Sequence, residues 1–484
     1  MLPGITGSTL YSSSGGLRTP LWEQSPGAAW QLLVEGEQTI GQLVVPAHDP
    51  IDEVPHTPVR PQSLMPGFHG VYGMGRIAGY EYLLKSLARS LNLTAGNAFD
   101  DAPANLIAFP YDWRLSCRYN ARQLKAVVDR KLQLWRIHSG EPGAKVILIA
   151  HSMGGLVARY YLEVTGDAED RGDGQWRKCR ALFSFGTPYR GSIDAVGYVA
   201  NGYKKLFHDF TEMLRSCPSV YELMPVYRAI NHNGTWKRPY DIDIPNATPG
   251  YLNAAKVFHD EIKAATAMHA RDPDYAKDAY KTFPLVGVGQ TTLQSANFSG
   301  SSLSTSWTVP ESIDNLLAGG DGTVPRVSAT PIELSEDQRE TFLGERHGFL
   351  QSSATLLDDL FERVKQVQSR GLAEIQGGGQ LRLNPIDLLL DDLYEPNEPI
   401  VIRARVGTMD PAHTLVADIQ QVEGLQAGPP DRHFLAEGLD HYHEAKIEGL
   451  SPGRYTVTVG TDSGRLPRPT PVHGTFDVVG KVGW

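Results

Sequence analysis

Ser152 stands in the segment His151–Gly155, between an apolar run rich in β-branched residues, Lys145–Ala150, and a helical pattern, Leu156–Leu162. A strand, a tight turn of small residues and an abrupt helix start predict a strained turn that lifts a serine hydroxyl above a sheet, where it can act as a nucleophile. Such a turn has no room for large side chains two positions away, which suits Ala150 and Gly154. The alternative is an ordinary serine N-cap that opens a helix after a buried strand.

A nucleophilic serine needs an acid and a base, and in α/β-hydrolases both follow the serine along the chain, on loops after later strands. Asp321 lies in Gly319–Pro325, where flanking glycines favour a turn that directs the carboxylate inward; a plain Asx turn is the alternative. His347 lies on a glycine-flanked loop before the helical pattern Ala354–Val364. The chain has 15 histidines, so position along the chain rather than residue type selects His347 as the predicted base.

An oxyanion hole would complete this chemistry, because acyl transfer builds negative charge on a carbonyl oxygen that two backbone N–H groups can stabilise. One N–H should come from Met153, the residue after the serine. The other should come from the glycine-bearing turn Leu2–Ser8, where we expect the Ile5 N–H to face the cleft and Gly4 to border the substrate. The alternative is a frayed terminus made of turn residues.

Together with several further motifs, these segments resemble those of the lecithin:cholesterol acyltransferase family, which includes lysosomal phospholipase A2 and the phospholipid:diacylglycerol acyltransferases. The motifs follow the family's order: Pro3–Ser8, Phe109–Arg114, His151–Gly155, Phe185–Ser192, Cys217–Pro225, Gly320–Pro325 and His347. The resemblance implies an α/β-hydrolase fold, a triad of Ser152, Asp321 and His347, and an oxyanion hole lined by Ile5 and Met153. Secreted mammalian members have a signal peptide, disulfides and another residue at the Ile5 position, so their export and acceptor preference are not carried over.

Composition indicates a soluble enzyme. The 484 residues are 41% hydrophobic and 21% charged, which favours two or three domains. No window approaches the roughly 20 consecutive apolar residues that span a bilayer, and no secretory signal is recognisable, so we predict a cytoplasmic protein.

Charge and cysteine usage exclude several classes of partner. A net charge of -10 argues against nucleic acid and against firm adsorption to anionic lipid, leaving at most transient contact with a membrane surface. Three cysteines, Cys117, Cys179 and Cys217, suit a reducing compartment and predict no disulfide framework. None lies in a CxxC pair, so we predict no metal site and no cofactor.

Strand candidates alternate with helical patterns in the first part of the chain. The strands are expected at Leu106–Phe109, Val146–Ile149, Ala181–Phe185 and Pro284–Val288, and the helices at about 78–92, 118–138 and 153–165. This alternation predicts a mainly parallel, doubly wound sheet in a catalytic domain over residues 1–370. Within that domain we expect an irregular excursion over Pro46–Pro66 and a cap insertion over about residues 195–280.

The last part of the chain has a different character. Residues 371–380 are glycine-rich and predict a linker. Beyond them, Ile400–Val406, Thr414–Asp418, His443–Ile447 and Arg454–Val459 are short strand candidates without a convincing helix. An immunoglobulin-like β-sandwich over residues 381–484 fits this spacing. Its role stays open between docking of a protein partner, presentation of substrate and stability.

Two further side chains are candidates for contact with the substrate. Trp113 and Tyr189 both follow strand ends, where loops border a cleft. For the Trp113 loop, the competing interpretation is an ion pair of Asp112 and Arg114 that braces the loop against the core.

The residues therefore predict acyl transfer through an acyl-enzyme, with a lipid or other acyl ester as substrate. Hydrolysis is the first expectation, as in a lipase or phospholipase, because water is always available. Transfer of the fatty acyl group from a phospholipid to an alcohol is the alternative, and an inactive hydrolase-fold binding or scaffold protein is the second alternative.

Overall fold

The computed structural model describes residues 1–13, 17–23, 37–46, 51–52, 57–67, 78–166, 175–205, 208–334, 340–369, 384–395, 397–407, 414–422, 429–438, 440–462 and 468–478. The strands β1 to β24 are, in chain order, Ser8–Ser12, Thr19–Trp22, Val59–Leu64, Ala95–Asn97, Leu106–Ala108, Val146–His151, Cys179–Phe185, Lys204–Lys205, His208–Asp209, Ile230–His232, Thr235–Lys237, Lys281–Gly287, Ser295–Ser299, Ser302–Ser306, Thr341–Leu343, Ile386–Leu389, Leu393–Tyr394, Ile400–Val406, Leu415–Gln421, Asp431–Phe434, Ala436–Glu437, His443–Ile447, Gly453–Thr461 and Val472–Val478. The α-helices with both ends in these ranges, α1 to α9, are Glu81–Ser90, Cys117–Ser139, Gly154–Glu163, Ile193–Asn201, Thr211–Ser216, Pro218–Glu222, Tyr251–His269, Pro273–Asp278 and Ala354–Ser369.

A parallel sheet carries the candidate site. Its strands follow the order β15-β12-β7-β6, and every neighbouring pair is parallel. The Leu2 N–H donates to Ile149 O (2.8 Å) and the Phe109 N–H donates to Met1 O (2.9 Å), so the first residues connect β6 to the parallel pair β4–β5. The predicted parallel strands are confirmed, each within a few residues of its expected bounds.

Helices cover both faces of this sheet. Leu148 of β6 packs into one apolar cluster with residues of α2 and α3, such as Leu124 and Val157. Ile149, on the opposite face of the same strand, packs into another cluster with residues of α1 and α9, such as Leu87. A strand buried on both faces reads as a continuous apolar run, which explains why the sequence predicts β6 and its neighbours so directly.

The interpretation of Pro46–Pro66 as an irregular excursion is wrong for its second half. Residues Val59–Leu64 form β3, which pairs with β1 in a three-stranded antiparallel sheet of order β2-β1-β3. Pro61 sits inside this strand opposite Leu10. Since β3 is an edge strand, it pairs with a neighbour on one side only, and proline is tolerated in such strands.

Residues 186–280 lie between β7 and β12, which are neighbours in the parallel sheet. They hold helices α4 to α8, and α7 packs against α3 through the stacked rings of Tyr160 and Phe258, whose centroids are 5.3 Å apart. This is where the sequence predicts a cap insertion, and its role as a cap stays a prediction.

The C-terminal sheets, defined as β16 to β24, are one sheet of order β16-β18-β22-β21 and another of order β17-β24-β23-β19-β20. Apart from the parallel pair β17–β24, neighbouring strands are antiparallel. Buried residues of both sheets, including Ile402 and Val457, share one apolar cluster. The predicted strands are confirmed, whereas the glycine-rich linker over 371–380 lies outside the described residues.

Candidate active site

Ser152 occupies a strained turn at the carboxyl end of β6. Strand β6 ends at His151 and helix α3 begins at Gly154, so only two residues separate them. Ser152 has a φ of 51°, in the left-handed region that non-glycine residues rarely adopt. Its N–H donates to Phe185 O of β7 (2.8 Å), and its carbonyl accepts from Thr187 Oγ1 (2.9 Å). The predicted strain at the serine is confirmed.

Small residues around Ser152 allow three chain segments to meet. A Cβ at Gly154 would lie 2.4 Å from Pro3 O, and one at Gly155 would lie 2.0 Å from Thr187 Oγ1. A Cβ at Gly4 would lie 2.9 Å from the Ser152 Cβ. Contacts this short exclude any larger residue unless the contacting atoms move, and at Gly154 the nearest atom belongs to the backbone, which confirms the predicted need for a small residue there.

Asp321 is buried in the glycine-flanked turn that lies between β14 and β15. Its Oδ1 accepts hydrogen bonds from the N–H groups of Thr323 (3.0 Å) and Val324 (2.7 Å). A Cβ at Gly287, the last residue of β12, would lie 2.5 Å from the Asp321 Cβ. The carboxylate is thus held from one side by its own turn, which leaves Oδ2 to face a further partner.

That partner is His347. The His347 Nδ1–H donates to Asp321 Oδ2 (2.8 Å), and the His347 N–H donates to the Asp321 carbonyl (2.8 Å). With its proton on Nδ1, the ring presents the Nε2 lone pair to the Ser152 hydroxyl, whose Oγ is 2.9 Å away. The structure brings together the three residues that chain order selected, and all three side chains are buried. Their catalytic roles stay predictions.

The turn at the start of the chain lies against this group. Among the described residues, no acceptor is bonded to the N–H of Ile5 or of Met153, the two predicted oxyanion donors. The alternative of a frayed terminus is wrong, because Leu2 and Ile5 are buried in the core. The Gly4 N–H instead donates to Tyr80 Oη (2.8 Å).

Tyr80 and His151 connect this turn to the His347 loop, and the sequence did not reveal either role. Because Tyr80 Oη accepts from the Gly4 N–H, its hydroxyl hydrogen can donate to His151 Nδ1 (3.0 Å). The His151 Nε2–H then donates to the His347 carbonyl (3.2 Å). A histidine beside the predicted nucleophile was a detectable signal, whereas Tyr80 is distant in sequence and carries none.

The two residues predicted to contact a substrate, Trp113 and Tyr189, have different surroundings in the structure. Trp113 is completely buried and packs edge-on against Trp22, with ring centroids 5.4 Å apart. The bracing interpretation of its loop is confirmed, because Arg114 Nη2 and Nε donate to the Asp112 carboxylate at 2.6 and 2.9 Å. Trp113 therefore offers no surface to a substrate in this conformation. Tyr189 is 9% exposed and lies two residues after Thr187, next to the Ser152 turn.

A further acid, Asp194, lies near the site and was not found from the sequence. It stands in the first turn of α4, whose N-cap Ser192 donates its hydroxyl to Thr323 O in the Asp321 turn (2.6 Å). Burial raises the pKa of the Asp194 carboxyl to about 7, and the Asp321 charge adds to this rise while Ser192 and His347 oppose it. The Asp194 charge therefore changes near neutral pH.

Fold and site together define a mixed α/β protein in which a serine between a parallel strand and a helix contacts a histidine–aspartate pair. Residues 49–284 match the sequence model of the family described as "Lecithin:cholesterol acyltransferase". This match confirms the resemblance predicted from the motifs. It contains Ser152, whereas Asp321 and His347 lie beyond it.

Two curated proteins show the same similarity. The chain is 31% identical over 128 residues to "Lecithin-cholesterol acyltransferase-like 4" of Arabidopsis thaliana, covering 25% of this chain and 22% of that protein. It is 26% identical over 149 residues to "Lysosomal phospholipase A and acyltransferase" of Homo sapiens, covering 29% of this chain and 32% of that protein. The matches thus span between about a fifth and a third of these relatives' lengths.

The described residues bear on two kinds of partner, a metal ion and a membrane. They contain no group of three or more histidine, cysteine, aspartate and glutamate side chains arranged to hold a metal ion. None of their helices combines the length and apolar character needed to cross a membrane.

Proposed function

We propose that this chain is a lipid acyl-ester hydrolase that works through an acyl-enzyme on Ser152. The observation that carries the proposal is the continuous contact from Ser152 Oγ to His347 Nε2 (2.9 Å) and from His347 Nδ1 to Asp321 Oδ2 (2.8 Å). A buried histidine with its Nδ1 proton donated to a carboxylate is oriented to take a hydroxyl proton at Nε2.

The first half of the reaction forms the acyl-enzyme. His347 Nε2 takes the Ser152 proton while Oγ attacks the ester carbonyl, and Asp321 stabilises the resulting imidazolium. The N–H groups of Ile5 and Met153 stabilise the oxyanion of the tetrahedral intermediate. His347 then returns the proton to the leaving alcohol as the ester bond breaks. Water repeats these steps on the acyl-enzyme and releases a fatty acid.

The architecture belongs to the same proposal. We infer an α/β-hydrolase catalytic domain over residues 1–370 with a cap over about 195–280, and an immunoglobulin-like sandwich over 381–484. Helices on both faces of the parallel sheet support the first part. The single apolar cluster shared by the C-terminal sheets supports the second part.

A fluorophosphonate probe tests the nucleophile directly, because it modifies only an activated serine. We expect labelling of the wild type at Ser152 and none of Ser152→Ala, with equal melting temperatures for the two proteins. His347→Ala should also lose labelling and turnover while staying folded. Absence of labelling in the folded wild type would favour the inactive scaffold, and turnover by His347→Ala would move the base elsewhere.

A second candidate function is O-acyl transfer from a phospholipid to an alcohol. It is favoured by the names of the matched family and of both relatives, each of which includes an acyltransferase. The two functions share every step up to the acyl-enzyme, and differ in whether water or an alcohol attacks it. Incubation with phospholipid vesicles and a long-chain alcohol separates them, if free fatty acid and acylated alcohol are both followed. A dominant acylated alcohol would replace hydrolysis by transfer.

A further inference from the structure

The C-terminal sheets contact the loop that carries His347. Glu345 lies two residues before His347 and is almost completely buried. Its Oε1 accepts hydrogen bonds from the N–H groups of Arg346 (2.9 Å) and His473 (3.1 Å). Its Oε2 is 2.7 Å from Nδ1 of His473, which belongs to β24. One carboxylate therefore binds both the catalytic loop and the neighbouring sheet.

The same loop has a second contact with β24. The rings of His473 and Phe349 are stacked, with centroids 6.0 Å apart, and Phe349 lies two residues after His347. A Cβ at Gly474 would lie 3.2 Å from the Arg346 guanidinium. Residues on both sides of His347 are thus packed against one strand of the C-terminal sheets.

The turn that carries Asp321 is likewise connected to the C-terminal sheets. The Gln290 N–H donates to the carbonyl of Gly320 (3.0 Å), the residue directly before Asp321. The Gln290 side chain donates through Nε2 to Ile386 O (2.7 Å) and accepts through Oε1 from the Leu388 N–H (3.2 Å). Gln290 is buried, so this amide joins the Asp321 turn to strand β16 in a site protected from water.

Close backbone packing accompanies these hydrogen bonds. Added Cβ atoms at Gly289 and Gly344 would lie 2.3 and 2.6 Å from side-chain atoms of Pro385. Gly289 precedes Gln290, and Gly344 precedes Glu345, so Pro385 is inserted between the segment that pairs with the Asp321 turn and the segment that leads to His347. No larger residue fits at either glycine unless Pro385 moves.

We propose that the C-terminal sheets position the catalytic acid and base, with Glu345 and Gln290 as the positioning residues for His347 and Asp321. The inference rests on the proposed function, since it needs these two residues to be the base and the acid. It gives the C-terminal sheets a part in the reaction rather than in docking a partner. A misplacement of a catalytic group by about 1 Å lowers turnover by as much as about 100-fold.

Glu345→Ala in the full-length protein is the direct test, with a soluble p-nitrophenyl ester as substrate. We expect kcat to fall about 10- to 100-fold with KM nearly unchanged, because the substrate still binds while the base is displaced. Glu345→Gln should restore most of kcat, since its amide oxygen can accept the same two N–H bonds. Glu444→Gln, which changes an ion pair with Arg403 on the surface of the C-terminal sheets, is the matched control and should leave kcat and KM unchanged.

Two further variants keep the test decisive if Glu345→Ala does not fold. His473→Asn removes only the partly exposed imidazole, and Gln290→Ala removes the amide beside Asp321; each should lower kcat more than it raises KM. A fall in melting temperature with kcat unchanged in folded Glu345→Ala, or in both of these variants, would overturn the proposal and leave the sheets a stabilising role. Failure of the proposed function is a separate result, because the wild type itself would then not react with the fluorophosphonate.

Discussion

Asp321→Asn separates the orienting role proposed for this residue from its role in folding, because the substitution keeps the shape of the side chain. In the wild type, Oδ1 accepts from the N–H groups of Thr323 and Val324, and Oδ2 accepts from His347 Nδ1. Only the amide oxygen of asparagine can accept the two backbone hydrogen bonds. The asparagine NH₂ group must therefore face His347 Nδ1.

A donor at that position reverses the tautomer of the His347 ring. Two N–H groups cannot hydrogen-bond to each other, so Nδ1 must lose its proton to accept from the asparagine, and the ring proton moves to Nε2. His347 would then donate to Ser152 Oγ, 2.9 Å away, instead of accepting its proton. The base is present and correctly placed, yet it is in the wrong tautomer.

The expected loss in kcat is about 10⁴-fold, the size seen when the acid of a serine protease triad is replaced in the same way. At about 1.36 kcal/mol for each factor of ten, this corresponds to a rise of roughly 5.4 kcal/mol in the activation barrier. Stability should change much less, because the two backbone hydrogen bonds and the packing are retained.

The assay compares kcat for a p-nitrophenyl ester, the rate of fluorophosphonate labelling and the urea unfolding curve. Asp418→Asn is the matched control, since it changes a surface ion pair with Arg432 in the C-terminal sheets and should leave all three unchanged. A loss below about tenfold in folded Asp321→Asn would refute the tautomer argument and the assignment of Asp321 as the orienting acid.

Three other substitutions test separate parts of the structure. Gly155→Ala would place a methyl carbon 2.0 Å from Thr187 Oγ1 and should destabilise the protein by about 1–3 kcal/mol in urea unfolding, with a smaller cost in a Thr187→Gly background. Arg159→Leu removes the guanidinium beside the fully buried Glu163 and should lower the free energy of unfolding by about 3–5 kcal/mol; an unchanged unfolding curve would contradict this. Asp194→Asn should raise the free energy of unfolding at pH 8 by up to about 4 kcal/mol but not below pH 4. The raised pKa of Asp194 makes the wild type lose stability as pH rises from the unfolded value to about 7, and an equal effect at both pH values would contradict this.

The meeting of the three residues of the proposed triad was predictable from the sequence, because local chemistry marks each of them. Small residues flank Ser152, glycines flank Asp321, and His347 follows them in the chain order of a known fold. The parallel strands were predictable for a related reason, since burial on both faces gives continuous apolar runs. Strand β3 was missed because Pro61 reads as a breaker unless its edge position is already known.

The residues that support the site were not predictable, because their partners are distant in the chain. Glu345 and His473 form their contact across 128 residues, and Tyr80 reaches His151 across 71. Neither pair belongs to a local motif or a periodic pattern. Asp194 was missed because the change in its pKa depends on burial, which a single sequence does not reveal at one polar position.

The segments that carry the proposed triad differ in how the fold holds them, and this difference gives the C-terminal sheets the positioning role that we propose. Ser152 lies between the end of β6 and the start of α3, so a strand and a helix fix it directly. Asp321 lies on the connection between β14 and β15, and His347 lies four residues after the end of β15, so neither residue is fixed directly between a strand and an α-helix. A constellation that must be held within about 0.5 Å needs support for such loops from packed neighbours. Gln290 and Glu345 supply that support at the two loops that need it, and both take it from the C-terminal sheets.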